Sequence, residues 1–372
     1  MTVTTPDTGN LLYTEIEDDL RQSVRSLLDK RCGWTEVLAR TESAELVDTR
    51  LWSTLAGELG CAAMPIPEEQ GGAGGSWREA AVVAEELGRA VAPVPFLGSA
   101  GIATALLLEL GLTDVLEQIA SGESTAVVTL PFATSPFDAI QTSVEVTDDR
   151  LRGGVPGVVD AGSADILLVP TTAGLYLVSA DAATVTESVS LDMTRPVSDI
   201  WFDGSQGRRL ADAGADLDAA VSTALQVGAM LLASEQLGLA ERCLDLTVEY
   251  LATRRQFARL LGSYQALKHR LADLWVLITQ ARAIARYAAE CAATGSEDLP
   301  IAVALAQDTC SEVAQQAAEE CIQLHGGIGF TWEHPAHLYL KRAKADAFGL
   351  GTASAHRAAL ATLIDIPAPE VH

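Results

Sequence analysis

The stretch QLHGGIGFTWEHPAHLYLKRAKADAFGLGT, Gln323 to Thr352, decides how this chain is read. It opens on the pair Gly326–Gly327. Paired glycines let a backbone approach a ligand closely and turn its amides toward an anion, and they serve equally well as a plain interhelical turn. It closes on AFGLGT, Ala347 to Thr352, a second glycine-rich turn suited to lie against a ligand. Inside that turn the apolar Leu350 stands immediately before Gly351.

Upstream, from about residue 209 to Ile366, the pattern is helical. STALQVGAMLLASEQLGLAERCLDLTVEYLATRRQF (222–257) is apolar on much of its circumference, as in helices buried between helices or subunits. The block before it differs. STAVVTLPFA (124–133), SVEVTDD (143–149), DILLVPT (165–171), LYLVSA (175–180) and DIWFDG (199–204) are short, β-branched and punctuated by turn residues. They predict antiparallel strands in a barrel or sandwich. The N-terminal block is helical again. LYTEIEDDLRQSVRSLLDK (12–30) has amphipathic spacing, and Ser76 is placed to cap the helix WREAAVVAEELGRA (77–90). Separate helix, strand and helix blocks predict an α+β protein, with boundaries at 1–122, 123–208 and 209–372.

Fifty acidic against 25 basic residues leave a net charge of −25. Such a surface repels phosphate backbones and anionic lipid, which argues against nucleic-acid or membrane partners. The run GIATALLLELGL (101–112) is too short to span a bilayer. MTVTTPDTGN (1–10) has no basic patch and no apolar core of a secretory signal. The six cysteines form no C-x-x-C pair and read as buried thiols of a reducing compartment, so the expected location is cytoplasmic. His325, His334, His337 and His356 lack accompanying ligands at metal spacing and read as surface or interface histidines, with no metal site.

Four stretches in order along the chain resemble the acyl-CoA dehydrogenase family. They are LWSTLAGELGCAAMPIPEEQGGAGGS (51–76), the central β block, YLATRRQFARLLGSYQALKHRLADL (250–274), and Gln323 to Thr352. The resemblance implies an N-terminal helical domain, a middle β-barrel-like domain and a C-terminal four-helix bundle, assembled as an oligomer with FAD at the interfaces. It also implies α,β-desaturation of an acyl-CoA thioester, with electrons passing on to an electron-transfer acceptor. Carried over position by position, Arg254, Phe257, Leu261 and Gln265 match the motif that reaches a neighbouring subunit's FAD, with Ala258 replacing the usual glycine. An arginine fork suits a pyrophosphate, and the apolar pair suits an adenosine. Gln323, Gly326 and Gly327 match the adenosine-pyrophosphate contact, and Thr352 the threonine beside the flavin phosphates.

The resemblance fails where chemistry is needed. Family enzymes place a glutamate near the substrate α-carbon, its pKa raised by burial so that it works as a base. The two positions where the family carries that glutamate hold Leu350 and Gly228 here, and Ala229 stands where an arginine is frequent. The turn that meets flavin reads TLPFATSP (129–136), and the strand that backs the ring reads GVVD (157–160). No catalytic residue is assigned.

This pattern resembles the base-lacking subunit of actinobacterial heterotetrameric acyl-CoA dehydrogenases, which act in lipid or steroid metabolism. It implies a second, catalytically complete family member as partner; a homo-oligomer is the alternative. Two other readings remain. One is a self-sufficient dehydrogenase whose base has moved, for instance to Glu235 or Asp346, although Glu235 reads as a structural or interface carboxylate and Asp346 as a surface residue. The other is a fold recruited to non-redox or monooxygenase chemistry in secondary metabolism.

Overall fold

A computed structural model describes residues 11–366; the leader reading of residues 1–10 therefore lies outside the described residues. The N-terminal block contains helices α1 (Glu15–Arg31), α2 (Trp34–Thr41), α3 (Thr49–Ser53), α4 (Trp77–Ala90), α5 (Thr104–Glu109) and α6 (Thr113–Ala120). Its two longest helices start on capping boxes, Thr14 with Glu17 and Ser76 with Glu79, so the expected cap at Ser76 is present. Arg78 reaches back from α4 to Glu17 at 2.7 Å and ties the two helix starts together.

Eight strands follow: β1 (Ala126–Val128), β2 (Val144–Thr147), β3 (Arg150–Val159), β4 (Ile166–Thr171), β5 (Gly174–Ser179), β6 (Thr184–Glu187), β7 (Val197–Gln206) and β8 (Arg208–Asp212). They form two four-stranded sheets, in the orders β1-β4-β5-β8 and β2-β3-β7-β6. Leu151, Val155, Leu167, Tyr176, Val178, Ile200 and Phe202 fill a shared core. Pairing is antiparallel except between β1 and β4, where the sequence reading expected antiparallel strands throughout. The chain leaves β1 for β2 and β3 in the other sheet and returns to run alongside β1 in the same direction. The last strand continues to Asp212, beyond the expected boundary at 208.

The C-terminal block holds α7 (Ala215–Thr253), a short hairpin of β9 (Arg255–Gln256) and β10 (Arg259–Leu260), then α8 (Gln265–Thr294), α9 (Leu299–His325), α10 (Ala336–Asp346) and α11 (Ala353–Leu363). Helix α7 packs against α4, α8, α9 and α10, so most of its circumference is core. It is long and apolar enough to cross a membrane, but 72% of its most apolar window is buried against protein, which is the placement of a core helix. The crossing of α4 with α7 is set by two glycines. A Cβ on Gly88 would strike the Glu235 carbonyl, and one on Gly238 the Glu85 carbonyl, so the two backbones touch.

Candidate functional site

The two candidate positions for a base meet in the interior. Leu350 is 1% exposed, and a Cβ added at Gly228 would lie 3.2 Å from its Cδ1 and 2.6 Å from Ile102 Cγ1. Gly228 and Ala229 therefore mark no enlarged pocket. The space above them is filled by two apolar side chains drawn from the C-terminal loop and from the π-helical turn Phe96–Ala103. Leu350 is held in the left-handed region (φ 54°), which costs a leucine about 1–2 kcal/mol. Its amide donates to the Phe132 carbonyl at 2.6 Å, and its carbonyl is 2.9 Å from His356 Nε2.

Phe132 belongs to TLPFATSP, the turn expected to meet flavin. Its amide donates to the Gly157 carbonyl of GVVD at 2.8 Å, and its carbonyl takes the Leu350 amide. Its ring lies against Gly349, where any Cβ would collide with it, and its face is 5.8 Å from the Arg195 guanidinium. The three segments that depart from the family pattern are thus joined into one hydrogen-bonded seam. Ser135 Cβ packs 3.1 Å from the Cβ position of Gly351 and continues the seam.

Behind it lies a buried ion cluster. Arg195, from the loop between β6 and β7, and Arg342, from α10, both donate to the same Glu235 oxygen. Arg342 also meets Asp192 at 2.5 Å and Thr194 Oγ1 at 2.7 Å, while Arg195 Nε is 3.2 Å from Asp346 Oδ1. Burial raises the Glu235 carboxyl, but the two guanidiniums outweigh it and hold the pKa below the usual range. Glu235 is thus an ionised structural carboxylate, as the sequence suggested.

Asp346 is not the surface residue expected. It is wholly buried, because Arg342 and Asp346 share the inward face of α10 at i and i+4. Burial pushes its carboxyl up to about 7 against the pull of Arg195, and burial likewise raises Asp160 to about 6. A carboxyl near 7 suits a general base electrostatically, but a base must reach its proton. The space beside Asp160, Arg195, Glu235 and Arg342 is about 10 Å³, room for about one water and no substrate.

The residues matched to cofactor contact lie apart from this sealed interior, on the surface. Arg254 ends α7, and Phe257 and Ala258 form the tip of the β9–β10 hairpin, both at positive φ (51° and 63°). Two positive values define a tight hairpin turn that favours glycine, and Ala258 accepts it at a steric cost. Phe257 is 85% exposed, Leu261 is half-buried, and Gln265 opens α8 exposed. An apolar groove of about 530 Å³ lies beside them, lined by Leu251, Leu260, Lys268 and Leu271. Gln323, Gly326 and Gly327 are exposed at the end of α9, followed by Phe330 and Trp332, 76% and 61% exposed. Thr352 is exposed and caps α11 by accepting from the Ala355 amide at 3.2 Å.

The histidines divide. Of the surface or interface histidines expected, His325 and His356 are instead buried within the chain, each with a ring nitrogen on a backbone carbonyl, Cys321 at 2.7 Å and Leu350 at 2.9 Å. His334 and His337 are half-buried. The sequence reading also missed the ion cluster; Arg195 and Asp192 sit in a loop where nothing in the local pattern marks them.

The helical, β and helical succession leaves an arginine–phenylalanine hairpin and a glycine-pair turn exposed on the C-terminal block. Residues 14–123 match the acyl-CoA dehydrogenase N-terminal domain and residues 217–364 the C-terminal domain. The acyl-CoA dehydrogenase IpdE2 of Mycolicibacterium smegmatis is 37% identical over 338 residues, 91% of this chain and 95% of that protein. The chain belongs to the acyl-CoA dehydrogenase family of FAD-dependent oxidoreductases. Among solved structures, a variant of the Tcur3481-Tcur3483 steroid ACAD is 30% identical, with a TM-score of 0.84 over 94% of this chain and 98% of that one. The ChsE4-ChsE5 complex from Mycobacterium tuberculosis is 26% identical, with a TM-score of 0.85 over 97% and 100%.

Proposed function

We propose that this chain is the accessory subunit of a heteromeric acyl-CoA dehydrogenase, supplying cofactor contacts across the interface while a catalytically complete relative supplies the base and the flavin bed. The carrying observation is the closed seam: Leu350 packs against Gly228, and Phe132 bonds to both Gly157 and Leu350. Both base positions are apolar and occupied by packing, so neither can take a proton from a substrate α-carbon.

The exposed residues fit FAD where the interior does not. Arg254 would take the pyrophosphate as a two-pronged donor, with Phe257 and Leu261 covering the adenosine and Gln265 donating beside them. Gln323 and the amides of Gly326 and Gly327 would meet the adenosine-pyrophosphate portion from the end of α9, and Thr352 the flavin phosphates. An 85% exposed phenylalanine on a strained hairpin tip carries a cost in water that a planar ligand or partner would relieve. Bound FAD would supply a hydride acceptor for the substrate β-carbon, and the α-proton would go to a carboxylate that this chain does not provide.

Relatives named as two-chain assemblies support the heteromer, and one named as a steroid ACAD supports an acyl-CoA thioester from steroid or lipid breakdown as substrate. An electron-transfer acceptor would reoxidise the flavin, and the cytoplasm is the proposed location. The test is co-purification with the family member encoded beside it, followed by flavin content and dye-linked turnover on acyl-CoA thioesters. Turnover requiring both chains supports the reading. Turnover by this chain alone overturns it.

A further inference from the structure

Away from the seam and from the residues matched to the cofactor, helices α1, α4, α7 and α10 leave a cavity of about 400 Å³ between them. That volume lies within the range of small-molecule sites. Three arginines stand in its wall, Arg25 of α1, Arg89 of α4 and Arg242 of α7, in a chain with twice as many acidic as basic residues. Arg25 is committed. Its Nε and Nη2 donate to the two oxygens of the buried Glu86 at 2.8 and 2.6 Å.

Arg89 and Arg242 are held more loosely. Arg89 donates from one nitrogen to Asp245 at 2.7 Å, and Arg242 stands 3.5 Å from Glu249, at the outer limit of a hydrogen bond. Both of those acids face solvent. A guanidinium carries five N–H donors, so each arginine has donors beyond these contacts. The rest of the wall is largely apolar, from Leu28, Trp34, Pro335 and Tyr339. The Tyr339 hydroxyl is engaged, donating to the Arg89 carbonyl at 2.9 Å, so its ring is held as a fixed surface.

We propose that this cavity binds a small organic oxyanion, a carboxylate or phosphate monoester carrying a compact apolar body. Arg89 and Arg242 take the oxyanion as charge-assisted donors, and the apolar wall covers the body. The Arg25–Glu86 pair is neutral as a unit and closes the cavity without repelling the anion. Asp29, the remaining acid of the wall, is exposed and stays in water. Asp245 and Glu249 compete for the same guanidiniums, which holds the affinity near a Kd of about 1 mM. None of these residues is among those matched to FAD, so the site stands apart from the cofactor reading.

The full-length chain is titrated calorimetrically, in a phosphate-free buffer of low ionic strength, with phenyl phosphate, benzoate, inorganic phosphate and benzyl alcohol. One-to-one binding of phenyl phosphate or benzoate is expected at a Kd of about 1 mM or tighter, and the tighter of the two identifies the head group. Inorganic phosphate and the uncharged alcohol are expected to bind at least about tenfold more weakly, and added salt to weaken the aromatic anion. Arg89→Gln and Arg242→Gln are each expected to weaken binding about tenfold with the melt unchanged, since their acidic partners are exposed. Failure of both aromatic anions to bind at about 10 mM, or binding that neither variant weakens, overturns the proposal. So does inorganic phosphate or benzyl alcohol binding as tightly as the aromatic anions. The wild-type selectivity decides the matter should either variant lose its fold.

Discussion

At the residue scale, the missing base is an apolar contact. Leu350 and Gly228 fit each other, with Ile102 closing the third side. Restoring a glutamate at residue 350 puts a carboxylate among apolar atoms with no donor, which costs several kcal/mol unless the carboxyl stays protonated. Leu350→Glu is therefore expected to lower stability by about 3 kcal/mol, read in a urea melt, and to create no acyl-CoA turnover in the lone chain. Gly228→Ala brings a methyl to 2.6 Å from Ile102 Cγ1 and is expected to cost about 1–3 kcal/mol as overpacking. Neutral or stabilised melts for these two variants would show that the interior has room. That Leu350 cannot act as a base was legible from residue type alone. That it packs against Gly228 was not, because the contact joins positions more than a hundred residues apart and no local pattern encodes it.

At the scale of elements, the ion cluster joins the loop before β7, helix α7 and helix α10. Breaking a buried pair leaves an uncompensated charge, so Glu235→Gln is expected to destabilise by about 3–5 kcal/mol. If Glu235 were instead a displaced base, the same change would spare the melt and abolish turnover. The pH dependence follows from the carboxyls that burial raises. Asp346 (about 7) and Asp160 (about 6) hold protons in the fold that the unfolded chain, near the ordinary aspartate value of 3.8, has released. Their contribution is full below the unfolded pKa and is lost as pH rises through about 6 to 7. The melting temperature is expected to fall between about pH 4 and pH 7, and Asp346→Asn to flatten that slope; a flat wild-type profile would contradict the assignment. Helix starts such as Ser76 were legible because a cap is a local hydrogen bond. The burial of Asp346 was not, since a short helix dense in charge does not declare which face turns inward.

At the scale of the whole molecule, the sealed interior and the exposed arginine–phenylalanine hairpin, proposed above to meet a cofactor, stand in contrast within one chain. The family and the three-block order were legible because each rests on residues close in sequence. The closure of the seam was not, because Phe132, Gly157 and Leu350 come from separate segments. In the assembled enzyme, Arg254→Gln is expected to reduce bound FAD several-fold with the melt of the lone chain unchanged, since Arg254 is exposed and touches no core. The most direct test of the central claim is the flavin content and acyl-CoA turnover of this chain purified alone, beside the same chain purified with its catalytic partner. Little flavin and no turnover are expected for the chain alone, with both appearing in the complex. Full flavin occupancy and turnover by the chain alone would contradict the claim.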